Sequence, residues 1–281
     1  MRYMRGLNCV IVMLLLVALS LSSFALAVAG PQSVHLPNKR ITPTTSGNWA
    51  GFAVTGSVGS VSDVKGSWIV PSVVSCSRGE TSFSSFWVGI DGYASNTVEQ
   101  IGTDSDCSKG VPIYFSWWEF YPEKYYVVSS PTPVPGHVFS AEVSYNSSTD
   151  AFTASITDTK TGSTFSITFQ DKYHAQRSSA EWVTEGPLTE PLTHFTTSGL
   201  SPTQSAFYGS DYTSIASTNC AIISGFYGVS GCSGIGSYNS ASPSSVYQMT
   251  MVAKKGATRA SPSPLSKSGT SFYVAWVSTG P

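Results

Sequence analysis

The sequence predicts an all-β fold, an antiparallel sandwich or barrel, and three observations carry that prediction. Short runs of alternating apolar and polar residues recur from Asn48 onward, separated by Gly, Ser, Asp and Pro. No stretch sustains a helical apolar repeat over three turns with caps. The stretch "TDTKTGS" at 157–163 reads as a hairpin turn between two alternating runs. Many short strands without helices leave the layered or closed all-β architectures.

In chain order the predicted strands are Trp49–Val54, Val64–Val70, Phe83–Ile90, Ile113–Tyr121, His137–Tyr145, Ala151–Thr157, Thr164–Gln170, Ala180–Glu185, Val246–Ala253 and Ser271–Val277, with 98–104 also read as extended. The segment from Gly199 to Ser245 is rich in Ser, Gly and Tyr, and reads as long loops. There is no internal repeat, and residues 47–281 read as a single domain. Ahead of it, Met1–Asn8 carries Arg2 and Arg5 and no acid. Cys9–Ala29 is apolar and ends in the small-residue sites Ala25-Leu26-Ala27 and Ala27-Val28-Ala29. Residues 1–29 are therefore read as a cleaved secretory signal peptide, which makes the mature protein extracellular and free of the membrane. Residues 30–46, rich in Pro and Thr, read as a short exposed segment.

The chain of 281 residues loses Arg2 and Arg5 with the leader, leaving thirteen basic against sixteen acidic side chains and a formal charge of −3. Charged residues make up 11% of the chain and form no basic stripe, which argues against a nucleic-acid partner. A surface poor in carboxylates changes charge little in acid, which hints at an acidic working environment. Cleavage also removes Cys9, leaving Cys76, Cys107, Cys220 and Cys232. An even number in a secreted chain suggests two disulfides. The sequence-local pairing, Cys76–Cys107 and Cys220–Cys232, is the expected one of three. No CxxC or CxxH spacing supports a metal site, and no cofactor is expected.

Alternation then sorts the polar residues by face. In "YFSWWEFYPE" at 114–123 it puts Phe115, Trp117, Glu119 and Tyr121 together. In "FWVGIDG" it sets Trp87, Gly89 and Asp91 opposite an apolar set. In "VEQIGTD" it joins Gln100, Gly102 and Asp104, and in "AEWVTEGP" it joins Glu181, Val183 and Glu185. An unpaired buried carboxylate is costly, whereas aromatic walls with a few convergent polar groups make a cleft. The face is therefore read either as concave and ligand-binding or as an ordinary polar sheet face turned to water, with Trp87, Trp117 and Tyr121 uncommon on the latter. None of the four histidines, His35, His137, His174 and His194, falls in these segments, and there is no GxSxG or HExxH. What remains is carboxylate and amide chemistry.

Five motifs in this order, "GNWAG" (47–51), "WVGIDG" (87–92), "EQIGTD" (99–104), "WWEFYP" (117–122) and "AEWVTEGP" (180–187), resemble the glutamic peptidases, or eqolisins. The resemblance covers roughly 48–281, is specific through Glu185 and loosens after about residue 195. It implies a two-sheet, lectin-like β-sandwich and an acid endopeptidase acting on polypeptides, here expected to be a monomer. It carries the family's catalytic pair onto Gln100 and Glu185, and the accompanying cleft residues onto Trp49, Trp87, Asp91, Asp104, Trp117, Glu119 and Tyr121. The sequence departs from the fungal members in having a short stretch between leader and "GNWAG", a larger 199–245 segment and "EGP" after the expected glutamate. "NSS" at 146–148 is an N-glycosylation sequon. The alternatives are a retaining glycoside hydrolase using Glu119 and Glu185, or a carbohydrate-binding sandwich on the same aromatic face.

Overall fold

The computed structural model describes residues 41–196, 204–207, 219–225, 231–240 and 245–280. The leader read over 1–29, and residues 30–40 of the following segment, lie outside the described residues. Nineteen strands are present: β1 (Thr42–Ser46), β2 (Trp49–Thr55), β3 (Val61–Ile69), β4 (Ser72–Val73), β5 (Ser85–Ile90), β6 (Val98–Ser108), β7 (Val111–Tyr121), β8 (Tyr126–Val128), β9 (Val138–Asn146), β10 (Ala151–Asp158), β11 (Thr164–Gln170), β12 (Ser179–Glu185), β13 (Phe195–Thr196), β14 (Gln204–Phe207), β15 (Cys220–Ile223), β16 (Ser233–Gly234), β17 (Val246–Val252), β18 (Thr258–Pro262) and β19 (Phe272–Trp276).

One layer runs β1-β17-β2-β12-β5-β6-β7-β8. The other runs β15-β3-β9-β10-β11. Between them lies the main core, built from the inward residues of both, such as Phe52, Trp68, Phe86, Val88, Phe139, Phe152 and Trp182. The layers touch closely. A Cβ on Gly66 of β3 would come within 2.4 Å of Val88 and 3.0 Å of Trp182 in the facing layer. Two tryptophans buried in this core also bond across it: Trp182 Nε1 donates to the Lys65 carbonyl (2.6 Å) and Trp68 Nε1 to Thr103 Oγ1 (2.8 Å). An indole buried without such an acceptor would be penalised. The two disulfides are Cys76–Cys107 and Cys220–Cys232, the sequence-local pairing.

Every predicted strand is present, most with ends shifted by one to three residues. The hairpin at 157–163 joins β10 to β11, with Thr157 opposite Thr164. Three expectations are corrected. Thr42–Ser46, read as part of an exposed segment, is a strand that pairs in parallel with β17, so the sheet is not wholly antiparallel. Within 199–245, read as long loops, the described residues include β14, β15 and β16, with β15 paired to β3. That same segment holds one six-residue 3-10 helix, Ile235–Ser240, in a chain read as helix-free. The first two misreadings concern pairing between distant segments, which local alternation does not encode.

Candidate active site

The first layer presents its outer face as a cleft of about 680 Å³. Strand register stacks its residues into rows. One row is Trp49–Glu185–Ser85–Asp104–Phe115. Two residues along comes Val183–Trp87–Gly102–Trp117, and two further Glu181–Gly89–Gln100–Glu119. Glu185 and Gln100 thus flank the middle row, and both line the cleft. Trp49, Asp104, Trp117, Glu119 and Tyr121 line it too. The middle row is a tryptophan floor interrupted by Gly102. A Cβ there would sit 2.5 Å from the Phe86 carbonyl oxygen, 2.6 Å from Trp87 Cβ and 3.1 Å from the Trp117 ring. Gly102→Ala is therefore expected to displace the β5 backbone at Phe86–Trp87 and crowd the Trp117 ring, cutting peptidase activity about tenfold, with destabilisation of about 1–3 kcal/mol from overpacking. Activity and thermal midpoint of the purified variant check this; unchanged values for both refute it.

Glu185 sits at the end of β12, and its two oxygens each accept a hydrogen bond. Asn48 Nδ2 donates to Oε1 (2.9 Å) and Trp87 Nε1 to Oε2 (2.9 Å). Burial raises its pKa to about 7; the Asn48 and Trp87 donors pull the other way. Gln100 is buried on β6, and its Nε2 donates to Glu119 Oε2 at 2.5 Å. Burial raises the Glu119 pKa, and that donation opposes it. An amide nitrogen carries two protons, so this bond fixes the Gln100 plane and leaves one N–H to give.

Asp104 accepts from Trp117 Nε1 at 2.5 Å, which locks the indole against the floor. Its pKa stands well above the usual range, through burial and then the neighbouring Asp106 carboxyl. Asp106 accepts from the Ser84 backbone N–H (2.9 Å), and burial raises it to about 7. Among the described residues the lining includes four carboxyls, Asp104, Asp106, Glu119 and Glu185, and no Lys, Arg or His.

One of the residues predicted for the cleft lies elsewhere, and a second lies beneath its surface. Asp91 is fully buried and does not line it. Its carboxylate instead accepts from the backbone N–H groups of Arg177 (2.6 Å) and Ser178 (2.8 Å), anchoring the approach to β12. The cause is that β5 ends at Ile90, and Asp91 turns away in the left-handed region at φ 69°. Trp87 is on the predicted face but fully buried, beneath Trp49, whose ring meets it edge-on at 5.0 Å. It reaches the site only through its bond to Glu185. Glu181, which alternation could not separate from Glu185, is fully buried and outside the cleft lining. Sequence reasoning assigned no role to Asn48 or Asp106. Asp106 was findable, because alternation along β6 carries the Gln100–Asp104 face two residues further.

A model of the peptidase A4 family matches residues 47–225. The chain belongs to the peptidase A4 family. It is a glutamic-type endopeptidase, and its substrates are polypeptides. Solved structures similar to this A4 peptidase include scytalido-glutamic peptidase with a transition-state analogue inhibitor, at 22% identity and TM-score 0.58, covering 83% of this chain and 100% of that one. Another is SCP-B, a member of the eqolisin family, in complex with the tripeptide Ala-Ile-His, at 20% identity, TM-score 0.58 and the same coverage. At these identities the likeness bears on the fold, a β-sandwich. Among curated proteins nothing matches the chain.

Proposed function

We propose that this A4 peptidase is a secreted acid endopeptidase whose catalytic pair is Gln100 and Glu185. The observation that carries the reading is the pairing of a base-competent carboxyl with an oriented amide across one cleft floor. Ionised Glu185 takes a proton from a water, whose oxygen attacks the scissile carbonyl carbon. The free N–H of Gln100 donates to the oxyanion that forms. Glu185 then passes its proton to the departing nitrogen as the C–N bond breaks. Glu119 acts through Gln100, by holding its amide plane. Export is supported by the leader over 1–29 and by two disulfides, which persist in oxidising compartments.

A carboxylate with its pKa near 7 is a stronger base than an ordinary one, but below that pH its ionised fraction falls tenfold per unit. On this mechanism kcat/KM therefore has an acid limb set by Glu185. Asn48→Ala removes a donor that favours the ionised form. The limb is expected to move to higher pH by about one unit. A pH–rate profile of the variant reads this directly, and an unmoved limb would show that the profile reports another group. The glycosidase alternative leaves Gln100 without a role, although its amide bonds Glu119, one of the two acids that alternative needs. Incubation with denatured protein and with β-glucan in acid decides between them. Cleavage of the glucan and not of the protein would refute the peptidase mechanism.

A further inference from the structure

We propose that Val111, Ile113 and Val127 form an apolar shelf that binds an extended polypeptide substrate beyond the scissile bond. The inference rests on the peptidase reading above and extends it. Alternation along β7 puts Val111 and Ile113 on the same face as Phe115 and Trp117, which line the cleft. Register puts Val127 of β8 directly beside Trp117. The shelf is thus a continuation of the cleft wall. Its members are open to solvent: Val111 is 59% exposed, Ile113 38% and Val127 61%. Tyr121 and Tyr125, at the cleft rim, are exposed as well. Exposed apolar side chains that run on from a cleft wall are costly to keep in water and mark a surface that something covers.

The chemistry of the occupant follows from the strip. None of these three side chains is charged, so they suit apolar residues, although Asp106 pairs across from Ile113 on the neighbouring strand. From Phe115 to Val111 the strip extends about 13 Å at a strand's rise per residue, the length of about four extended substrate residues. β8 covers β7 only at Ser116, Trp117 and Trp118, so among the described residues 111–115 have no strand partner on that side. An extended chain leaving the cleft can lie there. Apolar residues are available in this form in unfolded polypeptides, because folded proteins bury them. The shelf selects that class of substrate.

The test compares three peptides sharing one cleavable sequence: a short one that fills only the cleft, one extended by apolar residues, and one extended by Ser and Gly. The parent enzyme is expected to favour the apolar extension over the polar one by about tenfold in kcat/KM. The triple variant Val111→Thr, Ile113→Thr, Val127→Thr keeps β-branched side chains at all three positions. It is expected to lose that preference while cleaving the short peptide as the parent does. The single variant Ile113→Lys is expected to lose most of it. A preference that survives both substitutions overturns the proposal, and so does an equal loss on the short peptide. A parent dimer that the triple variant dissociates, with the preference intact, overturns it in favour of a second copy as occupant. A parent that cleaves none of the peptides fails the peptidase mechanism instead.

Discussion

Glu185→Gln is expected to lower kcat/KM on a denatured protein by about 10²–10⁴, the range for removing a general acid–base group. The amide fills the same space, so packing survives. It cannot take a proton from water at any working pH. Its oxygen can accept from Asn48 or from Trp87, but one of those donors must then face the new NH₂. The substitution also removes an acid whose burial disfavours ionisation, so the variant's thermal midpoint near neutral pH should equal or exceed the parent's. Loss of rate without loss of stability separates a chemical role from a structural one. Gln100→Ala should cost about 10²–10³ in kcat, the loss typical of one oxyanion donor. Glu119→Gln should cost less, since it weakens the hold on Gln100 without removing the donor. Purified variants assayed on one substrate give the ranking. Full activity in Glu185→Gln would remove this residue from the mechanism.

Much of this site was legible because a flat strand transmits sequence directly into geometry. The period of two placed Gln100 with Asp104, and Trp117 with Glu119, on one face, and the register of β6 against β7 joined the two sets. Alternation gives a side, however, and not a depth. Trp87 lies on the right face yet has no exposure, because Trp49 covers it from the neighbouring part of the sheet. Nor does alternation survive the end of a strand, which is why Asp91 was misplaced. Asn48 sits between β1 and β2, where no period operates. Its contact with Glu185 spans 137 positions and exists only because Trp49 pairs with Glu185 across the β2–β12 ladder. β1 was missed for a related reason: "TPTTS" carries a proline and little apolar pattern, and its stability as a strand comes from β17, some two hundred residues away.

The fold itself is expected to lose stability as pH rises toward neutrality. Glu99 is fully buried, and its pKa is raised to about 10 by burial and then by Asp91 and Asp171 nearby. Glu181 is fully buried and stands well above 4.5 for the same first reason, with Asp91 again adding repulsion. Asp63 and Asp106 are raised to about 7, both chiefly by burial, Asp63 with repulsion from Glu142 opposed by Lys65. In the unfolded chain these groups lose their protons near 4.5 or 3.8. Above those values the folded state holds more protons than the unfolded one, so stability falls with rising pH until each folded pKa is passed. The stability is fully present below the unfolded values. Asp158, lowered by its bond to His137, works in the opposite sense and is lost only in stronger acid. Each raised group costs about 1.4 kcal/mol per pH unit in this window. Several such groups acting together lower the stability steadily between about pH 4 and 7. The thermal midpoint should therefore drop steeply across that range, and Glu99→Gln and Glu181→Gln should each flatten the drop. A parent midpoint that rises from about pH 4 to 7 would contradict the burial of these carboxyls. The same slope bounds catalysis. Glu185 gains activity as pH rises while the fold loses stability, so the working range lies where the two limbs cross, on the acid side of neutral. Flattening the stability limb with Glu99→Gln should then carry measurable activity to higher pH without moving the acid limb that Glu185 sets.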